Sequence, residues 1–225
     1  MAQAAAGNRN WFAIWVSVAV VAVIAVVIAL VVMMNNKATD PGVLPQASGI
    51  DQETGAVTFG DGQDVVATYV DFMCPYCNQF EQASGSTITQ LIDEGRITLE
   101  IYPVHILDSR SQGTQFSSRA AAAFYAVAEA DPAHSYAFMQ ALFKNQPDEG
   151  TTGLTDEEMI QIAKDAGVDM TDELEQTILD QKYLEFAQAQ SLPEGSTGTP
   201  TLLVNGNVIS ITMDPETDIV ANLTD

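Results

Sequence analysis

The stretch Tyr69-Val70-Asp71-Phe72-Met73-Cys74-Pro75-Tyr76-Cys77-Asn78-Gln79-Phe80-Glu81 decides the fold. It is entered by Val65 to Phe72 (VVATYVDF), mostly apolar and β-branched, as a central strand buried on both faces would be. Cys74 follows almost at once. Proline is tolerated in the first turn of a helix, and Tyr76 to Ile92 mixes polar and apolar residues as a helix ending near Gly95 does. Ile97 to Val104 (ITLEIYPV) then alternates as a further strand. Strand, helix, strand, with two cysteines at the helix start, is the order of an α/β unit and predicts a parallel sheet.

Working outward, Ala56 to Phe59 reads as a short strand upstream. Downstream, roughly Gln115 to Gln190 is helical: an Ala-rich helix (SSRAAAAFYAVAEA) stopped by Asp131-Pro132, then a helix through His134, Phe138 and Leu142. A third helix starts at Thr155, with Glu158 at the capping-box position. A last one carries Leu174, Ile178 and Phe186. Thr201 to Val204 and Val208 to Ile211 flank Asn205-Gly206, a pair suited to the positive φ angles of a two-residue hairpin turn. Pro215 to Leu223 closes the chain as a short helix. The acids between Asp148 and Glu185 lack EF-hand spacing and read as a solvated helical face.

Upstream lies a segment of a different kind. Residues 11–34 (WFAIWVSVAVVAVIAVVIALVVMM) carry no charge. As a helix they would span ~36 Å against a hydrocarbon core of ~30 Å. Trp11 and Trp15 sit at the leading end, where indoles favour the interface, and Arg9 and Lys37 bracket the run. A cleaved signal peptide is the rival reading, but its apolar region is only about 7–15 residues long. The expected organisation is a short cytoplasmic N-terminus (1–10), a transmembrane signal-anchor helix (11–34), a linker (35–55) containing Pro41, Gly42 and Pro45, and a domain over 56–225.

The chain has 225 residues, enough to bury a core without disulfide or metal staples. From Ala38 onward 30 acids face 6 Lys or Arg, a net of −24. That balance excludes nucleic-acid binding through a basic face and attraction to anionic lipid.

The chemistry lies in the cysteines, of which there are two. Two thiols in the first turn of a helix can close on each other, and the unpaired N–H groups there favour thiolate at Cys74. Such pairs lower the first thiol to roughly 3.5–7.5, against about 8.5 for a free cysteine. Cys74, at the outer edge, should exchange with substrate, and Cys77, one turn inward, should resolve the mixed disulfide. Other readings stay open: a structural disulfide, which would remove little chain entropy across so short a ring; a zinc or copper carrier, which would need about two more soft ligands; or buried inert thiols.

The stretch from Tyr69 to Glu81 resembles the active-site strand and helix start of the DsbA-like branch of the thioredoxin superfamily. Ser196-Thr197-Gly198-Thr199-Pro200-Thr201, leading into LLVNG, is similar to that family's cis-proline loop. Phe143-Lys144-Asn145-Gln146-Pro147 with Glu149-Gly150 is similar to membrane-anchored actinobacterial members. The resemblance covers about Val57 to Ile209. It implies a thioredoxin fold with a helical subdomain inserted at about 112–190, catalytic Cys74 and Cys77, an active-site loop at Pro75 and Tyr76, and Pro200 in the cis form with Thr199 beside the cysteines. A cis X–Pro bond turns the chain and exposes Thr199 backbone groups to an extended substrate strand. One departure stands out: many members carry a buried acid six residues before the first cysteine, where this chain has Thr68. Asp71 is a possible substitute, though strand alternation puts it on the face opposite Thr68; a solvated or hydrogen-bonded strand-end acid is the other reading. His105, at the end of the third strand, is a further tuning candidate.

Together these readings predict a monomeric, membrane-tethered enzyme outside the cell membrane that oxidises cysteine pairs in reduced or unfolded exported proteins. It would use no cofactor or metal of its own and be reoxidised by a quinone-linked membrane partner. Reduction or isomerisation of disulfides is the alternative within redox chemistry, and a metal-carrying or peptide-binding thioredoxin-fold module the alternative outside it.

Overall fold

A computed structural model describes residues 11–38 and 41–224. The expected cytoplasmic segment 1–10, with Arg9, lies outside the described residues. The chain divides into two units, one ending at Asp40 and one beginning at Pro41.

The first unit contains helix α1 (Trp11–Ala38), which runs four residues past the expected end. Its window Ile14–Val31 is long and apolar enough to cross a membrane, by length and composition, and none of it is buried. A signal sequence would meet the same test.

In the second unit, β1 (Val57–Phe59), β2 (Asp64–Val70), α2 (Pro75–Asp93) and β3 (Ile97–Pro103) follow in the expected order. Five helices come next: α3 (Phe116–Ala130), α4 (Pro132–Lys144), α5 (Asp156–Asp165), α6 (Asp172–Leu179) and α7 (Leu184–Ala189). The chain then returns through β4 (Thr201–Val204) and β5 (Asn207–Ile209) to a short α8 (Pro215–Asp218). The sheet order is β1-β3-β2-β4-β5. Only β2 and β3, joined across α2, are parallel; the other pairings are antiparallel. The expected parallel sheet is therefore mixed. The reason is local for β5, because the Asn205-Gly206 turn, with φ of 51° and 78°, admits only an antiparallel neighbour.

Register matters more here than strand count. Tyr69 lies opposite Thr201 and Thr68 opposite Leu202. Residues just before Thr201 are thereby carried past the end of β2, toward the segment that follows it. Asn205 reinforces this alignment: its side chain accepts from Val65 N at 2.9 Å and donates to Asp64 at 2.7 Å.

The helical insert is built around α3. Twelve of its 15 residues are buried, which is why its sequence is rich in alanine: small side chains let neighbours pack on every side. Phe124 of α3 and Phe143 of α4 flank Phe72, with ring centroids 6.0 and 5.3 Å away, so the insert packs on the loop leading to Cys74. The capping box at Thr155 and Glu158 forms as expected.

Two further expectations are corrected. The last insert helix is two, α6 and α7, broken near Gln181, whose φ is 50°. Pro41 to Gly55, expected to belong to a linker, is packed into the second unit. Ile50 is 5% exposed and bridges to Val57, Gln46 N donates to Glu129 at 2.7 Å, and the Tyr125 hydroxyl donates to Gly55 O at 2.8 Å.

Candidate functional site

The two cysteines lie where β2 gives way to α2. Cys74 is the N-cap of α2 with extended backbone (φ −79°, ψ 117°), and Pro75 occupies the first helical turn, where a missing N–H costs nothing. The Cys74 carbonyl accepts from Cys77 N at 3.0 Å and Asn78 N at 3.3 Å. Both thiols are free. Cys74 is 5% exposed and Cys77 fully buried, whereas the Tyr76 ring stands out at 62%.

The pair is electrostatically unequal. The Cys77 thiol donates to the Cys74 sulfur, the largest of the influences that bring the Cys74 thiol from 9.0 down to about 6. Burial opposes it, while the Thr199 hydroxyl and the N–H groups of Cys77 and Tyr76 assist it. Cys77 is pushed well above its ordinary range, first by burial and then by its neighbour Cys74. The helix start invoked from the sequence contributes, but the inner thiol contributes more.

The Thr199–Pro200 bond is cis, and the loop it belongs to meets the cysteines directly. The Cys74 sulfur donates to Thr199 O at 3.3 Å. The Thr199 hydroxyl is buried beside the two sulfurs, with no oxygen or nitrogen acceptor of its own, and is placed to donate to a thiolate at Cys74. Beside it runs a groove of about 660 Å³ whose lining includes Ser196, Thr199, Leu202, Val208 and Ile211. Val208 is 68% exposed there.

Of the two readings of Asp71 as a strand-end acid, the hydrogen-bonded one holds and the solvated one does not. It lies one residue beyond β2, where strand alternation no longer governs direction, and it is fully buried, not solvated. One carboxylate oxygen accepts from Met73 N at 2.8 Å and from the Ser117 hydroxyl at 2.7 Å; the other accepts from Leu107 N at 2.9 Å. Burial raises its pKa to about 6 in spite of these three bonds. Asp71 thus ties the cysteine loop, the segment after β3 and α3 together. Thr68 is buried within β2. His105 bonds elsewhere, its Nε2 lying 2.9 Å from Gln188 O and its Nδ1 3.7 Å from Asp108.

Sequence reasoning missed two residues that touch this loop. Ser117 meets Asp71, as above. Gln146, just beyond α4, donates from Nε2 to the carbonyls of Phe72 at 3.0 Å and Cys74 at 2.9 Å. Its only signal was the Asn145-Gln146-Pro147 motif, to which no role was attached. Among the described residues no group of three or more His, Cys, Asp or Glu is gathered that could hold a metal ion.

A βαβ unit with a Cys-X-X-Cys helix start, closed by a cis-proline loop on an antiparallel strand, defines a thioredoxin-type fold. A profile described as Thioredoxin matches residues 58–219. Among solved structures, DsbA of Mycobacterium tuberculosis in its oxidised form is 33% identical, with TM-score 0.63, covering 70% of this chain and 86% of that one. The reduced disulfide bond oxidoreductase DsbG of the same organism is 31% identical, with TM-score 0.61 and coverage of 78% and 86%. MdbA, a thiol-disulfide oxidoreductase of Corynebacterium diphtheriae, shares the fold at 22% identity, TM-score 0.63, covering 79% and 94%. The chain belongs to the thioredoxin superfamily, and within it to the DsbA-like proteins. The serine/threonine-protein kinase PknE of M. tuberculosis is 30% identical over 118 residues, 49% of this chain. This chain spans about a fifth (21%) of that relative's length.

Proposed function

We propose that the chain is a thiol–disulfide oxidoreductase, tethered by α1 to the outer side of the cell membrane, that oxidises cysteine pairs in exported proteins. The observation that carries this reading is the unequal pair: a Cys74 thiol lowered to about 6 beneath Thr199, backed by a buried Cys77 held as a thiol. Starting from the disulfide, a substrate thiolate attacks the Cys74 sulfur, the Cys74–Cys77 bond breaks, and Cys77 leaves and takes up a proton. The substrate's second thiolate then attacks its own sulfur in the mixed disulfide, and Cys74 leaves as a thiolate. Two electrons pass from the substrate dithiol to the pair. A low-pKa Cys74 is the better leaving group and stabilises the reduced enzyme, and both effects favour oxidation of substrate. The groove beside Thr199 and Pro200 would take the substrate chain.

The reduced pair must then return its electrons to an oxidant, for which a quinone-linked membrane protein is the fitting class. The exposed apolar run Ile14–Val31 of α1 supports the tether, and disulfide chemistry, which belongs to oxidising compartments, supports the outward side. The test uses a reduced, unfolded cysteine substrate. The purified chain should oxidise it, and Cys74→Ser should not; oxidation surviving in Cys74→Ser would end this reading.

A further inference from the structure

We propose that Gln146 is a positioning residue for the disulfide chemistry, its carboxamide bridging the carbonyls of Phe72 and Cys74 and so fixing how the helical insert presents Cys74 to Thr199. This rests on the reading of Cys74 and Cys77 as a redox pair.

The loop from Phe72 to Cys74 is 0–5% exposed, so its backbone polar groups depend on protein partners. Met73 N donates to the Asp71 carboxylate and Cys74 N to Asp71 O. The Cys74 carbonyl is taken by Cys77 N and Asn78 N from within α2. Gln146 is what reaches this loop's carbonyls from outside, and it reaches two of them. A primary amide has two N–H donors on one nitrogen, so it can span two acceptors where a hydroxyl cannot.

The residue is itself held in place. Gln146 N donates to Phe143 O at 3.1 Å, Pro147 restricts the backbone at 146, and the Phe143 ring packs on Phe72. The end of α4 therefore grips the loop twice, by a ring and by an amide. The orientation of the Cys74 carbonyl sets the orientation of the first turn of α2, and with it where the Cys77 thiol and the N–H groups of Tyr76 and Cys77 point. Those are the groups that support a thiolate at Cys74. Without the amide, the carbonyls can turn and the sulfur drifts from its donors.

The test compares the full chain in detergent with Gln146→Met, similar in length but without donors, and with Ser135→Ala. The Ser135 hydroxyl is buried and donates to Pro132 O within α4, so its loss loosens the insert without touching the loop. Thiolate absorbance of the reduced protein is titrated with pH, and the pair is equilibrated with glutathione. Gln146→Met should raise the Cys74 pKa by about one unit and shift the glutathione equilibrium about tenfold, or ~30 mV, toward a less oxidising pair. Ser135→Ala should leave both within about twofold. Should Gln146→Met not fold, Gln146→Asn, one methylene too short to span both carbonyls, should shift the same way by a smaller amount. An unmoved titration and equilibrium in the Gln146 variant, or an equal shift in Ser135→Ala, would overturn the proposal. Neither result bears on whether Cys74 is required for exchange, which Cys74→Ser decides.

Discussion

At the scale of the residue, two buried acids of different kinds govern pH behaviour. The Cys74 thiol titrates at about 6 in the fold against 9.0 in an open chain, so its thiolate stabilises the reduced fold. That contribution is complete above about pH 9 and is lost as pH falls through about 6. Unfolding of the reduced protein by denaturant should therefore show stability rising from about pH 6 to 9, and Cys74→Ser should remove the rise. Asp71 works in the opposite sense. Its pKa is raised from 3.8 to about 6, so burying the carboxylate is favourable to the fold only while it is protonated. Stability from this group is present below about pH 4 and lost as pH climbs through about 6. In the oxidised protein, where Cys74 does not titrate, Asp71→Asn should flatten the stability profile between those values. Asp71→Ala is a different experiment, since it strands Met73 N, Leu107 N and the Ser117 hydroxyl. At about 1–3 kcal/mol for each buried group left unpaired, it should rank among the most damaging substitutions in the domain.

At the scale of the element, the site is assembled by register. β2 carries Cys74 at its exit, β4 carries Thr199 and Pro200 at its entry, and the pairing of Tyr69 with Thr201 lays one against the other. Asn205 holds that register from the far end of β4, through Val65 N and Asp64 and through its own left-handed φ of 51°. Asn205→Ala loses the bonds and the local tolerance for that conformation together. It should cost about 1–3 kcal/mol in equilibrium unfolding, while Asn207→Ala, in the exposed strand that follows, should cost much less. Much of this level was legible beforehand. Alternation gave away β3, the Asn-Gly pair the hairpin, and Thr155 with Glu158 a helix start, because each signal is local. The antiparallel entry of β4 was not legible, since the chain reaches it through five helices whose packing sets its direction. Nor was the grip on the cysteine loop: Asp71 meets partners 36 and 46 residues away and Gln146 one 74 away, distances over which a single sequence carries no signal.

At the scale of the whole molecule, a helix with a long apolar run and an acidic folded unit share one chain. The second unit begins at Pro41 and has its own core, running from Ile50 to Ile219. Residues 41–225 produced alone should stay soluble, and the full chain should sediment with membranes and resist extraction by salt; a full chain released by salt would contradict the tether. The composition now divides accordingly: part of the apolar content belongs to α1, and the two cysteines, sparse across the chain, lie together at one helix start. Whether that helix start oxidises or reduces its substrates is an equilibrium property of the pair. The most direct measurement is the reduction potential of Cys74–Cys77 in the full chain, taken against glutathione at pH 7. A thiolate-stabilised pair that oxidises exported proteins should lie above about −200 mV. A value near the ~−270 mV of a thioredoxin-type reductant, or lower, would contradict the account.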